Sequence, residues 1–181
     1  MRIRTVFVTF ATALSLTGLA ACSNGDEADF NKADVSFAQD MIPHHRQATE
    51  MANMAESRTQ NSDVRELASK IIEAQQPEVD LMSGWLKSWG EEVPEEMPGM
   101  DHSSGMPGMM STEDMAALEK ASGADFDQMF LTMMIEHHEG AIEMARTEEE
   151  EGTFKDAVEL ARQIQKDQAA EIRTMEALLK S

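Results

Sequence analysis

The chain has 181 residues, of which 34 are Asp or Glu and 15 are Lys or Arg, so its formal net charge is −19. An acidic chain is a poor partner for nucleic acids, whose phosphates are bound by clustered Lys and Arg. Hydrophobic residues make up 41% of the chain, which is enough for a packed core, and the 16 Met are unusually many. The chain has no Tyr, 10 Gly and 5 Pro, a composition that favours helices over strands.

The amino terminus has the parts of a bacterial signal peptide. A basic start precedes an uncharged, mostly apolar stretch at residues 6–21, which is shorter than a typical membrane span. The stretch ends in Leu19-Ala20-Ala21-Cys22, which resembles the lipobox that precedes a lipid-modified cysteine. We predict a signal peptide at 1–21, lipidation at Cys22 and a polar tether at 22–33, with a plain signal peptide as the alternative. The mature protein is expected outside the cytoplasm, anchored to a bacterial membrane in the periplasm or at the cell surface.

The rest of the chain contains an internal repeat. Residues 41–52 and 134–145 are identical at eight of twelve positions, with an offset of 93. The same offset pairs identical residues elsewhere, namely Asp34, Phe37, Leu67, Ile71, Gln75, Glu78 and Met82 with Asp127, Phe130, Leu160, Ile164, Gln168, Glu171 and Met175. One offset that holds across two separate segments indicates that each half is the same structural unit.

Each unit is predicted to be a helical hairpin. Apolar residues recur at steps of three and four, as they do on one face of a helix. The expected helices span 34–57, 63–89, 112–121, 125–150 and 154–180. Residues 61–63 offer caps for the second helix, and Thr153 or Asp156 offers a cap for the last one.

Two hairpins that cannot bury their apolar faces alone close most simply into a four-helix bundle. The sequence therefore predicts one all-α domain over residues 34–181. Its expected parts are a first hairpin (34–90), a Met-rich linker (91–111), and a short helix followed by the second hairpin (112–181).

The linker has an unusual composition. Residues 97–110 have no helical period and are rich in Gly and Pro, yet they contain five Met and one His. Thioether sulfur is a soft ligand that suits Cu(I), and a linker has little packing reason to contain Met. We predict that Cu(I) or Ag(I) binds adaptably to Met97, Met100, His102, Met106, Met109 and Met110.

Both copies of the repeat contain adjacent histidines that follow a methionine. The spacing of three residues puts Met41 near His44, and Met134 near His137, on one side of a helix. Imidazole suits copper in either oxidation state, and Met and His avoid the oxidation that threatens thiolates outside the cytoplasm. The candidate copper ligands on the helices are Met41, His44, His45, Met51, Met134, His137, His138 and Met144. The alternative is that these Met residues fill the core and these His residues are hydrogen-bonded within it.

Polar residues also interrupt the apolar faces of the helices that follow each histidine pair. A buried polar side chain needs a partner, and an imidazole N–H from the facing helix is the obvious one. We expect a layer that supports the ligands, formed by Gln75, Glu78, Met82, Gln168, Glu171 and Met175. Ordinary contacts between helices that fix their register are the alternative for the Gln and Glu residues.

These motifs resemble a known family. The signature Met-Ile-x-His-His-x-x-Ala-x-x-Met-Ala occurs twice, and its second copy is preceded by Asp114-Met115-Ala116-Ala117-Leu118 and Phe126-Asp127-Gln128-Met129-Phe130-Leu131. Over residues 30–181 the chain is similar to the domain of unknown function 305 family, which includes CopM-like periplasmic copper-binding proteins. The resemblance implies a ferritin-like four-helix bundle, secretion and, for some members, copper or silver binding.

Three classes of function are compatible with these patterns. The first, which we favour, is a protein that binds Cu(I) or Cu(II), and also silver, in order to sequester copper, confer resistance or pass the metal on. The second is a structural or interaction lipoprotein with no physiological metal. The third is a di-metal oxidase, but that class needs Glu-x-x-His, whereas Met or Ile stands three residues before each helical His. Because no catalytic arrangement or organic-cofactor motif is present, we expect no enzyme.

Overall fold

The computed structural model describes residues 30–95 and 106–181. Within these ranges the chain forms five helices, α1 (Lys32–Arg58), α2 (Ser62–Trp89), α3 (Thr112–Lys120), α4 (Gly123–Glu151) and α5 (Lys155–Leu178). The described residues contain helices and no strand, which confirms the predicted all-α fold class. Each predicted helix boundary lies within two residues of the observed one. No helix in these ranges has both the length and the apolar content that a membrane crossing requires.

The starts of the first and last helices differ in how they are capped. Asn31 caps α1 in a capping box with Asp34. The predicted cap of α5 at Thr153 or Asp156 is wrong, because Phe154 occupies the N-cap position and makes no side-chain cap hydrogen bond. Thr153 instead donates its backbone N–H and its hydroxyl to Asp34. The start of α5 is therefore tied to the start of α1.

The four long helices form the predicted bundle of two hairpins. α1 pairs with α2, and α4 pairs with α5. The hairpins join where α1 packs against α4 and α2 touches α5. The end of α1 and the start of α4 share one apolar cluster, so these two helices run antiparallel. α3 contacts α1 and α4 and buries Leu118. Pro43 and Pro77 lie inside α1 and α2, and both helices continue through them.

A layer of polar side chains divides the core into two apolar clusters. Cluster 1 lies where α1 ends and α4 begins, and it includes Met51, Leu67, Ile71, Met110, Leu118, Phe126, Phe130, Met134 and Met175. Cluster 2 lies at the other end of the bundle and includes Phe37, Met41, Ile42, Val79, Met82, Trp85, Leu86 and Ile164. The polar layer between them consists of His44, His45, Gln75, Glu78, His137, His138, Gln168 and Glu171. The buried polar groups therefore lie halfway along the bundle, and apolar side chains pack toward each of its two ends.

The described ends of the linker are held against α1. Arg46 Nη1 donates to the Pro94 carbonyl at 2.6 Å. The side chain of Gln47 donates to the Met110 carbonyl at 2.9 Å and accepts from the Met110 N–H at 2.7 Å. Because Arg46 and Gln47 directly follow the histidines of α1, the linker leaves and rejoins the bundle beside the polar layer.

Candidate metal site

Four histidines occupy the middle of the bundle. His44 and His45 lie on α1, and His137 and His138 lie at the equivalent positions of α4. Each of these residues is at most 1% exposed. Adjacent residues on a helix point roughly 100° apart. The helices α1 and α4, which carry the two copies of the histidine signature, are called the signature helices. In each of them, one histidine ring can face the other signature helix while the second ring faces the partner helix of its own hairpin.

His44 and His137 meet where α1 packs against α4. Their ring centroids are 3.7 Å apart, and the rings are tilted by 40°. The Nε2 atom of His44 also donates a hydrogen bond to the carbonyl of Pro107, at 3.1 Å. The two histidines that the repeat makes equivalent are thus in direct contact, and a backbone group of the linker touches one of them.

His45 and His138 form matched pairs with glutamates of their hairpin partners. His45 Nε2 lies 2.7 Å from Glu78 Oε2 on α2, and His138 Nε2 lies 2.7 Å from Glu171 Oε2 on α5. The two glutamate side chains are 20% and 21% exposed. These contacts agree with the expectation that a buried imidazole N–H finds its acceptor on the facing helix. Both hairpins make the same contact.

Several ring nitrogens in the polar layer are buried without a hydrogen bond to a described residue. They are the Nδ1 atoms of His44, His45, His137 and His138 and the Nε2 atom of His137. Leaving a buried polar atom unsatisfied costs about 1–3 kcal/mol. A metal ion takes up the lone pair of a neutral imidazole, and metal-bound histidines use their other ring nitrogen to hydrogen-bond a carboxylate or a backbone carbonyl. His44, His45 and His138 therefore each have one paired and one unpaired ring nitrogen, as metal-bound histidines do, whereas both ring nitrogens of His137 are unpaired.

His44 and His137, the central histidines of the polar layer, remain neutral at physiological pH. Burial, with a smaller effect of the neighbouring His45, lowers the pKa of His44 to about 3, although the hydrogen bond to Pro107 opposes the change. Burial, followed by the nearby His44, lowers the pKa of His137 well below 6.5. Because a metal binds only the unprotonated ring, both side chains have their lone pairs available.

Two glutamines complete the polar layer without the partners expected for them. Gln75 and Gln168 are 2% and 4% exposed and lie one turn before Glu78 and Glu171. Both amide atoms of Gln75 and the side-chain oxygen of Gln168 have no hydrogen bond to a described residue. The expectation that the glutamines also bind imidazole N–H groups is wrong for these atoms. A carboxylate is the stronger acceptor, and in each hairpin the glutamate takes the imidazole.

The helical methionines lie at different distances from the polar layer along the bundle. Met41 and Met134 are fully buried, one turn before the central histidines on the same side of their helices. Met51 and Met175 are packed in cluster 1, and Met82 is packed in cluster 2. Of these five residues, Met41 and Met134 are therefore the ones whose sequence spacing directs them toward the central rings.

An acidic groove of about 420 Å³ opens between α1 and α4 next to the polar layer. Its lining includes Asp40, Glu143, Met144 and Pro107. Burial raises the pKa of Asp40. Met144, one of the predicted ligands, is half-buried and lines this groove. Pro107, whose carbonyl binds His44, therefore lies beside the carboxylates that line the groove.

The predicted ligands of the linker fall partly within the described chain. Met106 and Met109 are half-buried, and Met110 is buried and held by Gln47. Four predicted residues lie outside the described ranges, namely Cys22, Met97, Met100 and His102.

In residues 30–95 and 106–181, no three His, Cys, Asp or Glu side chains are grouped so that they could hold a metal ion. The two central rings therefore supply only part of a coordination sphere from those residue types. A metal beside His44 and His137 would need further ligands of another kind. The thioethers of Met41 and Met134, one turn away on the same helices, are groups of that kind.

Three residues that shape the site were not among those predicted from the sequence. Pro107 supplies the carbonyl that binds His44, Gln47 holds Met110, and Gly140 leaves space for Pro107. A signal existed for two of them. Gln47 and Gly140 are equivalent under the offset of 93, and they interrupt the identity of the repeat shortly after the histidines.

Comparison with known families places the chain in one of them. The family model of the domain of unknown function DUF305 matches residues 34–179. The chain therefore belongs to the DUF305 family, which confirms the resemblance seen in the signature. No curated protein matches the chain.

Solved structures of the family have the same fold. A candidate secreted DUF305 protein from Streptomyces coelicolor is 37% identical, with a TM-score of 0.75, over 82% of this chain and 92% of that one. A DUF305 fragment from Deinococcus radiodurans is 33% identical, with a TM-score of 0.75, over 83% of this chain and 97% of that one. CopM in its Cu(II)-bound form is 33% identical, with a TM-score of 0.71, over 81% of this chain and 95% of that one. CopM has also been solved with Cu(I) and with silver bound.

Proposed function

We propose that the protein binds copper, as Cu(I) or Cu(II), and also silver, at His44 and His137. The observation that carries this proposal is the set of buried imidazole nitrogens that have no hydrogen bond to a described residue. The contact between the two rings, with centroids 3.7 Å apart, puts both within reach of a single ion. CopM, a relative with bound Cu(II), Cu(I) and silver in its structures, gives further support.

The nature of the surrounding ligands favours copper and silver over harder ions. Thioether sulfur suits Cu(I) and Ag(I), and imidazole suits copper in both oxidation states. We infer that Met41 and Met134, both fully buried, complete the coordination of an ion held by His44 and His137. Helices with packed side chains restrain the geometry of such a site, so it should be defined and of low stoichiometry.

The linker is proposed to bind metal in a second and more adaptable way. Its candidate ligands include Met97, Met100 and His102, together with the half-buried Met106 and Met109, which lie on either side of Pro107 in the sequence. The acidic groove that reaches Pro107 attracts cations to the same side of the bundle. Together these features support capture by the linker followed by binding at the central histidines.

The biological role that we propose is the handling of copper outside the cytoplasm, by sequestration, resistance or transfer, without catalysis. The signal-peptide pattern and the lipobox-like position of Cys22 support a lipid anchor at a membrane surface. Cys22→Ser should abolish lipid labelling and move the protein out of the membrane fraction. If the variant stays with the membrane as wild type does, the anchor lies elsewhere.

The test of metal binding is competition with chelators of known affinity. In the double variant His44→Ala/His137→Ala we expect the defined Cu(II) site to be lost. Met97→Leu/Met100→Leu should lower the capacity for Cu(I) and Ag(I) while it leaves Cu(II) binding intact. Zinc serves as the comparison ion, and we expect it to bind more weakly than copper because the thioethers are soft ligands.

The matched control for the double variant is Ile71→Ala. Ile71 is fully buried in cluster 1, so its truncation reduces core packing without removing a candidate ligand. Helical circular dichroism checks that all variants fold. A wild-type protein without copper, or a folded double variant that binds Cu(II) like wild type, would favour the alternative of a structural lipoprotein with a buried histidine network.

A further inference from the structure

The last residues of the linker, 106–110, lie across the central histidine of α1. The carbonyl of Pro107 accepts a hydrogen bond from His44 Nε2 at 3.1 Å. One turn further along α1, the Gln47 side chain binds both the N–H and the carbonyl of Met110. The segment 106–110 is therefore attached to α1 at two successive turns, and one of the attachments is the imidazole itself.

The same segment packs closely against α4 through two glycines. Gly108 has a φ of +74°, in the left-handed region, and a Cβ added there would lie 2.6 Å from the Glu136 carbonyl oxygen. A Cβ added at Gly140 would overlap the carbonyl group of Pro107. The two backbones can approach this closely because both positions are glycine, and the approach sets the position of the Pro107 carbonyl.

The residues that hold the segment are ones at which the two copies of the repeat differ. Gln47 in α1 is the equivalent of Gly140 in α4. On α1 the polar side chain binds the linker backbone, and on α4 the glycine makes room for it. One linker segment meets a pair of equivalent histidines, so only one of them, His44, receives the carbonyl.

We propose that the docked segment selects the metal-binding atom of His44. A carbonyl oxygen only accepts hydrogen bonds, so its contact holds the His44 proton on Nε2 and leaves the lone pair of Nδ1 for Cu(I) or Ag(I). The Nδ1 atom is buried and has no hydrogen bond to a described residue. Gly140 and Gln47 are then positioning residues for the metal at His44. This inference rests on the proposed function.

The variant Gly140→Ala tests the inference, with Gly84→Ala as its matched control. Gly84 is also inside a helix, but an added Cβ there would meet nothing within 4 Å. Both variants gain the same helix propensity, and only Gly140→Ala displaces Pro107. Long-range ¹H–¹⁵N spectra of the labelled metal-free protein report which ring nitrogen of His44 is protonated. Ag(I) is the metal probe, because it is diamagnetic and its coupling to nitrogen identifies the bound atom.

We expect Nε2 to be protonated and silver to bind Nδ1 in the wild type and in Gly84→Ala. Gly140→Ala should mix the two tautomers and weaken silver binding about 10- to 100-fold, the usual loss when the group that orients a metal-bound histidine is removed. Gln47→Leu removes both hydrogen bonds to Met110 without a new backbone overlap. It should change the tautomer and the affinity in the same direction, even if Gly140→Ala fails to fold.

Silver on Nε2 of His44 in the wild type would overturn this inference and leave the proposed function intact. Folded Gly140→Ala or Gln47→Leu protein that keeps the wild-type tautomer and silver affinity would do the same. A wild-type protein that binds no silver at His44 would instead overturn the proposed function, and this inference with it.

Discussion

The two copies of the repeat agree where they form the histidine layer and differ where they meet the rest of the chain. The histidine–glutamate contact is 2.7 Å long in both hairpins. In contrast, Gln47 binds the linker, whereas its equivalent Gly140 only leaves space for it. Glu148 is buried at the end of α4, where α1 has the small apolar Ala55. The copies therefore share the residues of the histidine layer, whereas the differences at Gln47 and Glu148 lie at contacts with the linker and at a helix end.

The largest loss of stability is expected from two phenylalanines that are equivalent in the repeat but differently packed. Phe130 is fully buried and stacks on Phe126 with centroids 5.6 Å apart, whereas Phe37 is 5% exposed and lines the acidic groove. Truncation of a buried Phe to Ala costs about 3–5 kcal/mol. We expect the loss of stability to lie near the upper end of this range for Phe130→Ala and near its lower end for Phe37→Ala. Urea unfolding measures both, and equal losses would contradict the difference in packing.

Helix periodicity made much of this fold predictable from the sequence. Apolar spacing, together with capping residues, placed every helix boundary within two residues of the observed one. It also left Glu78 and Glu171 as polar residues on apolar faces, and both bind a histidine of their own hairpin. These contacts join helices that are neighbours along the chain, so their register follows from the spacing of residues in each helix.

Contacts between distant parts of the chain could not be read from local patterns. The Pro107 carbonyl binds His44 across 63 residues, and Thr153 binds Asp34 across 119 residues. No local propensity specifies which backbone group reaches a ring nitrogen after the hairpins pack. The error at the start of α5 has the same origin, because Thr153 is a good capping residue by type, yet its hydroxyl is used by Asp34.

The two copies of the repeat should differ in how their stability depends on pH, because the second copy contains the buried Glu148 where the first has Ala55. Burial, followed by the hydrogen bond with Asp34 and the charge of Asp34, raises the pKa of Glu148 from 4.5 to about 8. Burial would raise the pKa of Asp34 as well, but its hydrogen bonds, the first of them with Glu148, lower it. The proton of the pair therefore stays on Glu148. The stabilisation of the fold by protonated Glu148 is fully present below pH 4.5 and is lost as the pH rises to about 8.

The expected loss for the wild type is at most ~1.4 kcal/mol of unfolding free energy per pH unit in that window. Glu148→Gln keeps a neutral side chain that can hydrogen-bond Asp34 at every pH, so its stability should depend less on pH. Urea unfolding across the window measures the difference, with the exposed Glu150→Gln as a control for net charge. If the unfolding free energies of wild type and Glu148→Gln change with pH in the same way, the carboxyl groups of Glu148 and Asp34 share no proton.

The glutamates of the polar layer should give equal effects, since their surroundings match in the two hairpins. Glu78→Leu and Glu171→Leu each leave a buried imidazole N–H without its acceptor, at a cost of about 1–2 kcal/mol. His45 and His138 are both 0% exposed, so the two losses should be the same. Chemical denaturation measures them. A clear inequality would mean that the equivalence of the hairpins does not extend to the energetics of this layer.

The smallest effects concern the starts of the two signature helices. Asn31 accepts from the N–H groups of Ala33 and Asp34 and also donates from Nδ2 to the Glu151 carbonyl at 2.8 Å. Ser122 occupies the N-cap of α4 without a side-chain cap hydrogen bond. α1 is therefore capped by its side chain and α4 is not, even though the helices carry the same signature.

We expect Asn31→Ala to cost about 1 kcal/mol of unfolding free energy, the usual loss of an N-cap, and Ser122→Ala to change it by less than about 0.5 kcal/mol. Asn31→Ser separates the two roles of Asn31, because serine retains a capping oxygen but cannot reach the Glu151 carbonyl as the longer amide does. If the cap dominates, Asn31→Ser should recover most of the loss. If Asn31→Ser is as unstable as Asn31→Ala, the bond that joins the start of α1 to the end of α4 is the larger contribution, and the difference between the two helix starts is one of tertiary contact and not of capping.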